Sequence, residues 1–323
     1  MYNKKFLTIL WFLVFCEILM FSQQNTLFVF NVETSAGVMS GKTEELVFEN
    51  SKQISKLVWK QPVIPVTDID ITFEFLSFKL TNKLITAIPV KTGFLEDFDY
   101  LSETDDVISY YSKHDNYLDK DFTTSSTLIY SIQVVNNKYT LNPFLGVSYQ
   151  NRKNTAQDGF VQYPDTGILE WTGNEEKKEV AGPVISYEQS IFYPYLGVEN
   201  TLLFSNLISV LSISYFPYMN IKSMDSHVLR LVQFYDSMQG GYGYRIGLSF
   251  FSNLLKNSYF DIKLEAFYHY FCCYGSTSSN GIGLYNREFI LTENAGSGTT
   301  NSFLLLLLVL SLSPGSGFIN NKE

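Results

Sequence analysis

The sequence predicts an all-β membrane protein, a single antiparallel transmembrane β-barrel. Three observations carry this expectation. Apolar and polar residues alternate with period two over long stretches, the signature of strands with two different faces. Aromatic residues are abundant, with 27 Phe and 22 Tyr, as needed where aromatic girdles mark both bilayer interfaces. Charged residues make up only 17% of the chain, below the roughly 25% of an ordinary soluble domain.

The chain opens with Lys4 and Lys5, then an apolar run from Phe6 to Phe21 broken only by Thr8 and Glu17. Ser22-Gln23-Gln24 restores polarity. This is the layout of a secretory signal peptide. Residues 1–22 are therefore expected to be removed and residues 23–323 to form one domain. A retained membrane anchor is the alternative reading of the same run.

Alternation begins in earnest at Ile69, Ile71, Phe73 and Phe75, which interleave with Asp70, Thr72 and Glu74. It recurs at Leu211, Ile213, Tyr215, Pro217 and Met219, at Tyr244, Ile246, Leu248 and Phe250, and at Phe260, Ile262, Leu264, Ala266 and Tyr268. The partners of this last set include Asp261, Lys263, Glu265 and His269. Charges on one face and large apolar groups on the other fit a barrel with lipid outside and a polar lumen. An inverted arrangement, a soluble barrel with the apolar face as core, shares the pattern. Phe303 to Leu312 is too short for a spanning helix but suits a barrel strand of ~9–11 residues. About ten strands are expected, joined by short turns at one end. Long polar connections at the other end are expected at Glu103 to Asp121, Arg152 to Glu179 and Tyr274 to Asn280.

The net charge of −9 argues against nucleic acid as a partner and is compatible with attraction of basic peptides. After signal removal only Cys272 and Cys273 remain. As strand neighbours they point to opposite faces, so neither a disulfide framework nor a zinc site is read here. No cofactor is expected.

Two short motifs carry the chemistry: Asp97-Phe98-Asp99 and Asp225-Ser226-His227. On a strand, residues i and i+2 share a face. Two Asp and an Asp–His pair can then meet across the opening of a barrel and activate water, with His as base and Asp as its orienter. Each motif alone is weak, because solvated loop acids and chance Asp-x-His pairs are common. Ser112 and His114 raise the alternative of a Ser–His–Asp triad, which leaves Asp97 and Asp99 without a role.

Several segments, in order, resemble the omptin family of outer-membrane proteases. They are Ser40-Gly41-Lys42-Thr43-Glu44-Glu45-Leu46-Val47-Phe48, Ser55 to Lys60, Gly93 to Tyr100, Ser112-Lys113-His114, Gly146 to Arg152, Tyr187-Glu188-Gln189, Pro194 to Gly197, and Asp225-Ser226-His227. The resemblance implies an antiparallel barrel of about ten strands in the bacterial outer membrane, with an endopeptidase site of aspartic type in its extracellular mouth. By position, Asp225 and His227 are the implied dyad, Asp97 and Asp99 the implied holders of the attacking water, and Glu45 the implied acid of the pocket for a basic residue. Ser112 and His114 are implied to line the site. Implied partners are peptide or protein substrates of basic character and outer-membrane lipid, with lipopolysaccharide as the candidate glycolipid.

The chain departs from the family at two acidic positions. Ser223 stands two residues before the dyad Asp, and Tyr110 stands two before Ser112. Both changes remove negative charge, so a demand for basic residues on both sides of the bond is not expected. Glu96, Asp105 and Asp106 lie nearby and are the candidates to compensate. A non-enzymatic barrel, an adhesin or binding protein on the same scaffold, is the competing function.

Overall fold

The computed structural model describes residues 28–102, 107–136, 138–164, 170–204, 207–252, 260–281 and 295–312. The expected signal peptide, the turn at Asn253 to Asn257, Asp105, Asp106 and residues 313–323 lie outside the described residues.

Strands dominate. They are β1 (Phe28–Glu49), β2 (Lys52–Phe75), β3 (Phe78–Ala87), β4 (Val90–Asp99), β5 (Tyr110–Tyr130), β6 (Ile132–Val135), β7 (Tyr139–Gln162) and β8 (Lys178–Glu179). β9 (Pro183–Phe204), β10 (Leu207–Phe216), β11 (Met219–His227), β12 (Val232–Gly240), β13 (Tyr242–Ser252), β14 (Phe260–Gly281) and β15 (Ala295–Leu312) follow. Neighbours pair antiparallel, and β15 returns to pair with β1 from Val32↔Leu312 to Glu49↔Ala295, so the sheet closes on itself. Closure removes the open edges that a membrane would not tolerate. Some segments share one place in the ring. β3 and β4 both lie between β2 and β5. β10 and β11 both flank β9, and β13 and β12 both flank β14. β6 and β8 are short additions beside β7.

Burial fixes the sense of the alternation. Ile69 is 44% exposed while its neighbour Asp68 is 3% exposed. Leu211, Ile213 and Tyr215 on β10, Tyr244, Ile246, Leu248 and Phe250 on β13, and Leu304, Leu306 and Leu308 on β15 are likewise exposed. These side chains form an outward apolar band, the face that lipid covers in an outer-membrane barrel. Beyond the band the outer face turns polar. Lys42, Lys60, Lys91 and Lys120 stand on it, ion-paired with Glu44 (2.7 Å), Glu96 (2.8 Å), Asp115 (2.5 Å) and Glu188 (3.0 Å).

This polar collar explains a difference from expectation. The segment Glu103 to Asp121 is largely strand, because β5 begins at Tyr110; β7 continues to Gln162 and β14 to Gly281. Above the lipid both faces of a strand are polar, so the alternation that marks a strand disappears from the sequence.

The interior is polar only in layers. Level with the apolar band, Lys83 bridges Asp68 (2.9 Å), Asp70 (2.9 Å) and Glu265 (3.6 Å), and Lys263 joins Glu265 and Glu33. His269 sits among aromatic rings: its Nε2 is buried without a partner and its ring packs on Phe216, Tyr193 and Phe271. Higher up, apolar side chains fill the barrel in clusters, one built on Tyr193, Phe216, Met219 and Ile221, another on Leu57, Trp59, Leu95 and Tyr187. A narrow barrel has room for little else than its own side chains. The result is a packed support beneath the mouth.

Candidate active site

Three breaks in the wall decide which side chains face inward at the mouth. On β10, Tyr215 points out and Phe216 is fully buried. Pro217 and Tyr218 are then both exposed, and Met219 and Ile221 are buried. The pleat has changed parity by one residue, as a bulge does. Ser223 and Asp225 therefore face inward with Ile221. Without the break the simple alternation from Leu211 through Met219 would have sent Asp225 outward. Gly240 and Gly241, both with positive φ (93° and 67°), perform the same change between β12 and β13; glycine adopts such φ without steric cost. Between β3 and β4, Ile88 and Pro89 are exposed and the pleat slips once. A register shift between Lys91 and Phe94, with Gly93 at φ 64°, slips it again. Leu95 is thereby fully buried, and Asp97 and Asp99 follow it on the inner face.

Asp97, Asp99, Asp225, His227, Glu45, Ser112 and His114 all lie at one end of the barrel, above the apolar band. His227 Nε2 is 2.7 Å from Asp225 Oδ2, and Asp225 is buried. The second carboxylate oxygen of Asp225 has no partner. The His227 ring sits edge-on to Phe234 at 5.2 Å. Burial presses the imidazole pKa down, but Asp225, through charge and hydrogen bond, outweighs it, and the pKa stands above the ordinary histidine value.

Asp97 and Asp99 face this pair from β4. Ser55 Oγ, on β2, reaches Asp97 Oδ1 at 3.5 Å. Burial and the neighbouring Asp99 push Asp97 up to about 7, against the pull of His227 and Arg230. Asp99 is also raised, by burial, with Arg230 and His227 acting the other way. Like charges at close range share protons in this manner. Such a pair can donate one hydrogen bond and accept others, which suits holding a water molecule.

Ser112 is the cross-strand neighbour of Asp97. Tyr110 faces Asp99 in the same ladder and packs edge-on against Tyr163 at 4.9 Å. Sequence reasoning missed Arg230. It lies in the short 3₁₀ turn Val228–Arg230 just after His227, and its charge acts on Asp99, Tyr163 and Asp97. Its place directly after Asp225-Ser226-His227 was the only available signal. Glu96, a possible substitute acid, is on the wrong face: it is held outward by Lys60 and by Tyr111 Oη at 3.0 Å.

Glu45 is buried on β1 and its Oε2 has no hydrogen-bond partner. Burial first, then the charges of Asp225, Asp236 and Asp97, raise its pKa well above the usual carboxylate value. A polar floor lies beneath it. Gln189 Nε2 donates to Tyr187 Oη (2.9 Å) and Thr299 Oγ1 (3.2 Å), and Asn301 Nδ2 donates to Gln189 Oε1 (3.2 Å). Below the floor, Arg152 is clamped by Asp121 at 3.0 and 2.6 Å and stacks over Phe303 at 3.9 Å. Ser223 Oγ donates to Asp236 Oδ2 at 2.6 Å. Among the described residues no group of three or more His, Cys, Asp or Glu has the arrangement of a metal site.

Fold and site together define an outer-membrane β-barrel whose mouth is lined by carboxylates and an imidazole. The Omptin family model matches residues 26–297, and the chain belongs to the omptin family. That family consists of outer-membrane proteases, which places this chain among the peptide hydrolases of the outer membrane. The plasminogen activator of Yersinia pestis is 23% identical over 219 residues, spanning 65% of this chain and 67% of that protein. The crystal structure of the outer membrane protease OmpT from Escherichia coli superposes with a TM-score of 0.77. It does so at 16% identity, covering 89% of this chain and 99% of that one, and so speaks to the fold.

Proposed function

We propose that this protein is an outer-membrane endopeptidase that hydrolyses peptide bonds with an activated water, preferring a basic residue before the bond. His227, oriented by Asp225, accepts a proton from the water as the water attacks the scissile carbonyl. Asp97 and Asp99 hold that water from the opposite wall. Glu45 receives the basic side chain. The observation that carries this reading is the 2.7 Å contact between His227 and Asp225, made within reach of the charges of Asp97 and Asp99. A carboxylate on one imidazole nitrogen fixes the tautomer and stabilises the imidazolium that forms.

The mouth opens to the outside, where peptide and protein substrates arrive, and residues 1–22 serve as the export signal. After the bond, Tyr110 and Tyr163 favour a neutral or aromatic residue. Anionic lipid such as lipopolysaccharide meets the lysine collar at Lys42, Lys60, Lys91 and Lys120. Their carboxylate partners leave that collar with little free charge, so the lipid contact is weak.

The deciding experiment is refolding into detergent, with and without lipopolysaccharide, followed by digestion of an unbiased peptide library read by mass spectrometry. Cleavage after Arg or Lys that disappears in His227→Ala supports the proposal. A library left intact by folded protein, with peptides retained on it, would favour a binding barrel instead.

A further inference from the structure

The cleft carries an acid that the motifs did not indicate. Asp236 lies on the inner face of β12 and is buried. It is directly opposite Ser223 in the β11–β12 ladder and accepts a hydrogen bond from the Ser223 hydroxyl at 2.6 Å. Ser223 in turn faces Gln189 on β9. Gln189 reaches across the floor to Thr299, the residue opposite Glu45 in the β1–β15 ladder. Glu45 and Asp236 thus stand at two ends of one hydrogen-bonded floor, with the buried Tyr187 between them.

We propose that Asp236 is the second carboxylate of the pocket, so that Glu45 and Asp236 together receive the guanidinium of an arginine side chain. The negative charge missing at position 223 is supplied from the adjacent strand, and Ser223 has become the hydroxyl that orients it. This rests on the reading of the mouth as a peptidase cleft and names the pocket's second acid.

Several observations agree. Glu45 Oε2 is buried without a hydrogen-bond partner. Among the described residues no Lys or Arg is ion-paired to Glu45 or Asp236. Two buried carboxylates without a counter-ion are costly to ionise together, and both are raised by burial, Glu45 further by Asp225 and Asp236. An incoming guanidinium removes that cost. Its planar fork can bind one carboxylate bidentately and still offer N–H groups to another, which an ammonium matches less well. Arginine is therefore preferred over lysine.

The test compares two peptides that differ only in arginine or citrulline before the bond. Citrulline keeps the shape and loses the charge. Wild type should cleave the arginine peptide with the higher kcat/KM. Asp236→Asn should reduce the arginine-to-citrulline ratio by about 10- to 100-fold, the range for loss of a charge-assisted hydrogen bond. Glu45→Gln should reduce it similarly. The double substitution S223D/D236S, which moves the acid back across the ladder, should restore the ratio and thereby separate charge from folding. An unchanged ratio in folded Asp236→Asn, or no recovery in S223D/D236S, overturns the role of Asp236 while Glu45→Gln still reports on the pocket. Equal cleavage of both peptides by wild type overturns the basic-residue pocket itself.

Discussion

The Ser112 hydroxyl lies 3.0 Å from His114 Nε2 on the inner face of β5, and His114 Nδ1 is hydrogen-bonded to the backbone carbonyl oxygen of Asp158. The Nδ1–H therefore donates to Asp158, and Nε2 is left to accept from Ser112. The geometry is that of a nucleophile and base, but the orienter is a carbonyl rather than a carboxylate. Burial also holds the His114 pKa below its ordinary value. This pair would have to work without the stabilised imidazolium that Asp225 offers His227.

Ser112→Ala is accordingly expected to cost only a few-fold in kcat, and a serine-directed covalent inhibitor should leave the protein unlabelled. Loss of turnover in Ser112→Ala, or a labelled Ser112 in the mass spectrum, would sink the water mechanism.

His227→Ala and Asp225→Asn should each lower kcat by at least about 10²-fold, the lower end of what general-base catalysis contributes. Both variants should still show the shifted gel migration of a folded barrel before heating. Activity near wild type in either would remove the dyad from the mechanism.

The pH profile follows from the two raised groups. His227 works as a base only when neutral, and its pKa lies above the ordinary value of about 6.5. The acid limb of kcat should therefore fall above that value, with Asp97 titrating near 7 in the same window. Asp225→Asn removes the charge that lifts His227, so whatever residual activity remains should have its acid limb moved to lower pH. Linkage gives stability the opposite trend. A raised folded-state pKa contributes stability below the unfolded value that is lost as pH rises through the folded value. Asp97 should thus make the barrel less resistant to heat as pH climbs from about 4 to about 7. A kcat limb below pH 6 would contradict the assignment of His227 as base.

Gly93→Ala tests how the Asp pair is aimed. An added Cβ would clash with the Lys60 carbonyl oxygen, at a residue with φ 64°. The left-handed backbone alone costs a non-glycine residue about 1–2 kcal/mol, and the clash adds to it. Gly93→Ala should lower the temperature of the heat-induced gel shift and lower kcat by displacing Asp97 and Asp99. If kcat is untouched, the bulge at Gly93 does not set the position of those carboxylates.

The fold was legible where lipid imposes its rule. Ile69, Leu211 and Tyr244 alternate with inward polar or small residues because one face meets hydrocarbon. The upper strands were not legible as strands. Ser112 and His114 sit in β5, yet their segment, flanked by Lys113, Asp115 and Asp119, reads as a loop because both of its faces are polar. Asp97, Asp99, Asp225 and His227 could be picked out by i, i+2 spacing, since that spacing survives wherever a strand is regular. Which wall they face could not, because the slips at Pro217–Tyr218 and Gly240–Gly241 reset the count. Asp236 was hidden for a related reason: its partner Ser223 is opposite in the ladder and thirteen residues away in the chain, a relationship that strand pairing creates and spacing does not announce.

The slip at Pro217 and Tyr218 also splits one continuous wall into two independent texts. Below it, odd-numbered residues answer to the bilayer; above it, odd-numbered residues answer to the substrate. A saturation scan along residues 207–227 should show this directly: tolerance of polar substitutions should follow one odd–even rhythm up to Tyr215 and the reverse rhythm from Met219 onward. Mutational drift can therefore rewrite the chemistry of the mouth without disturbing the alphabet that the membrane reads.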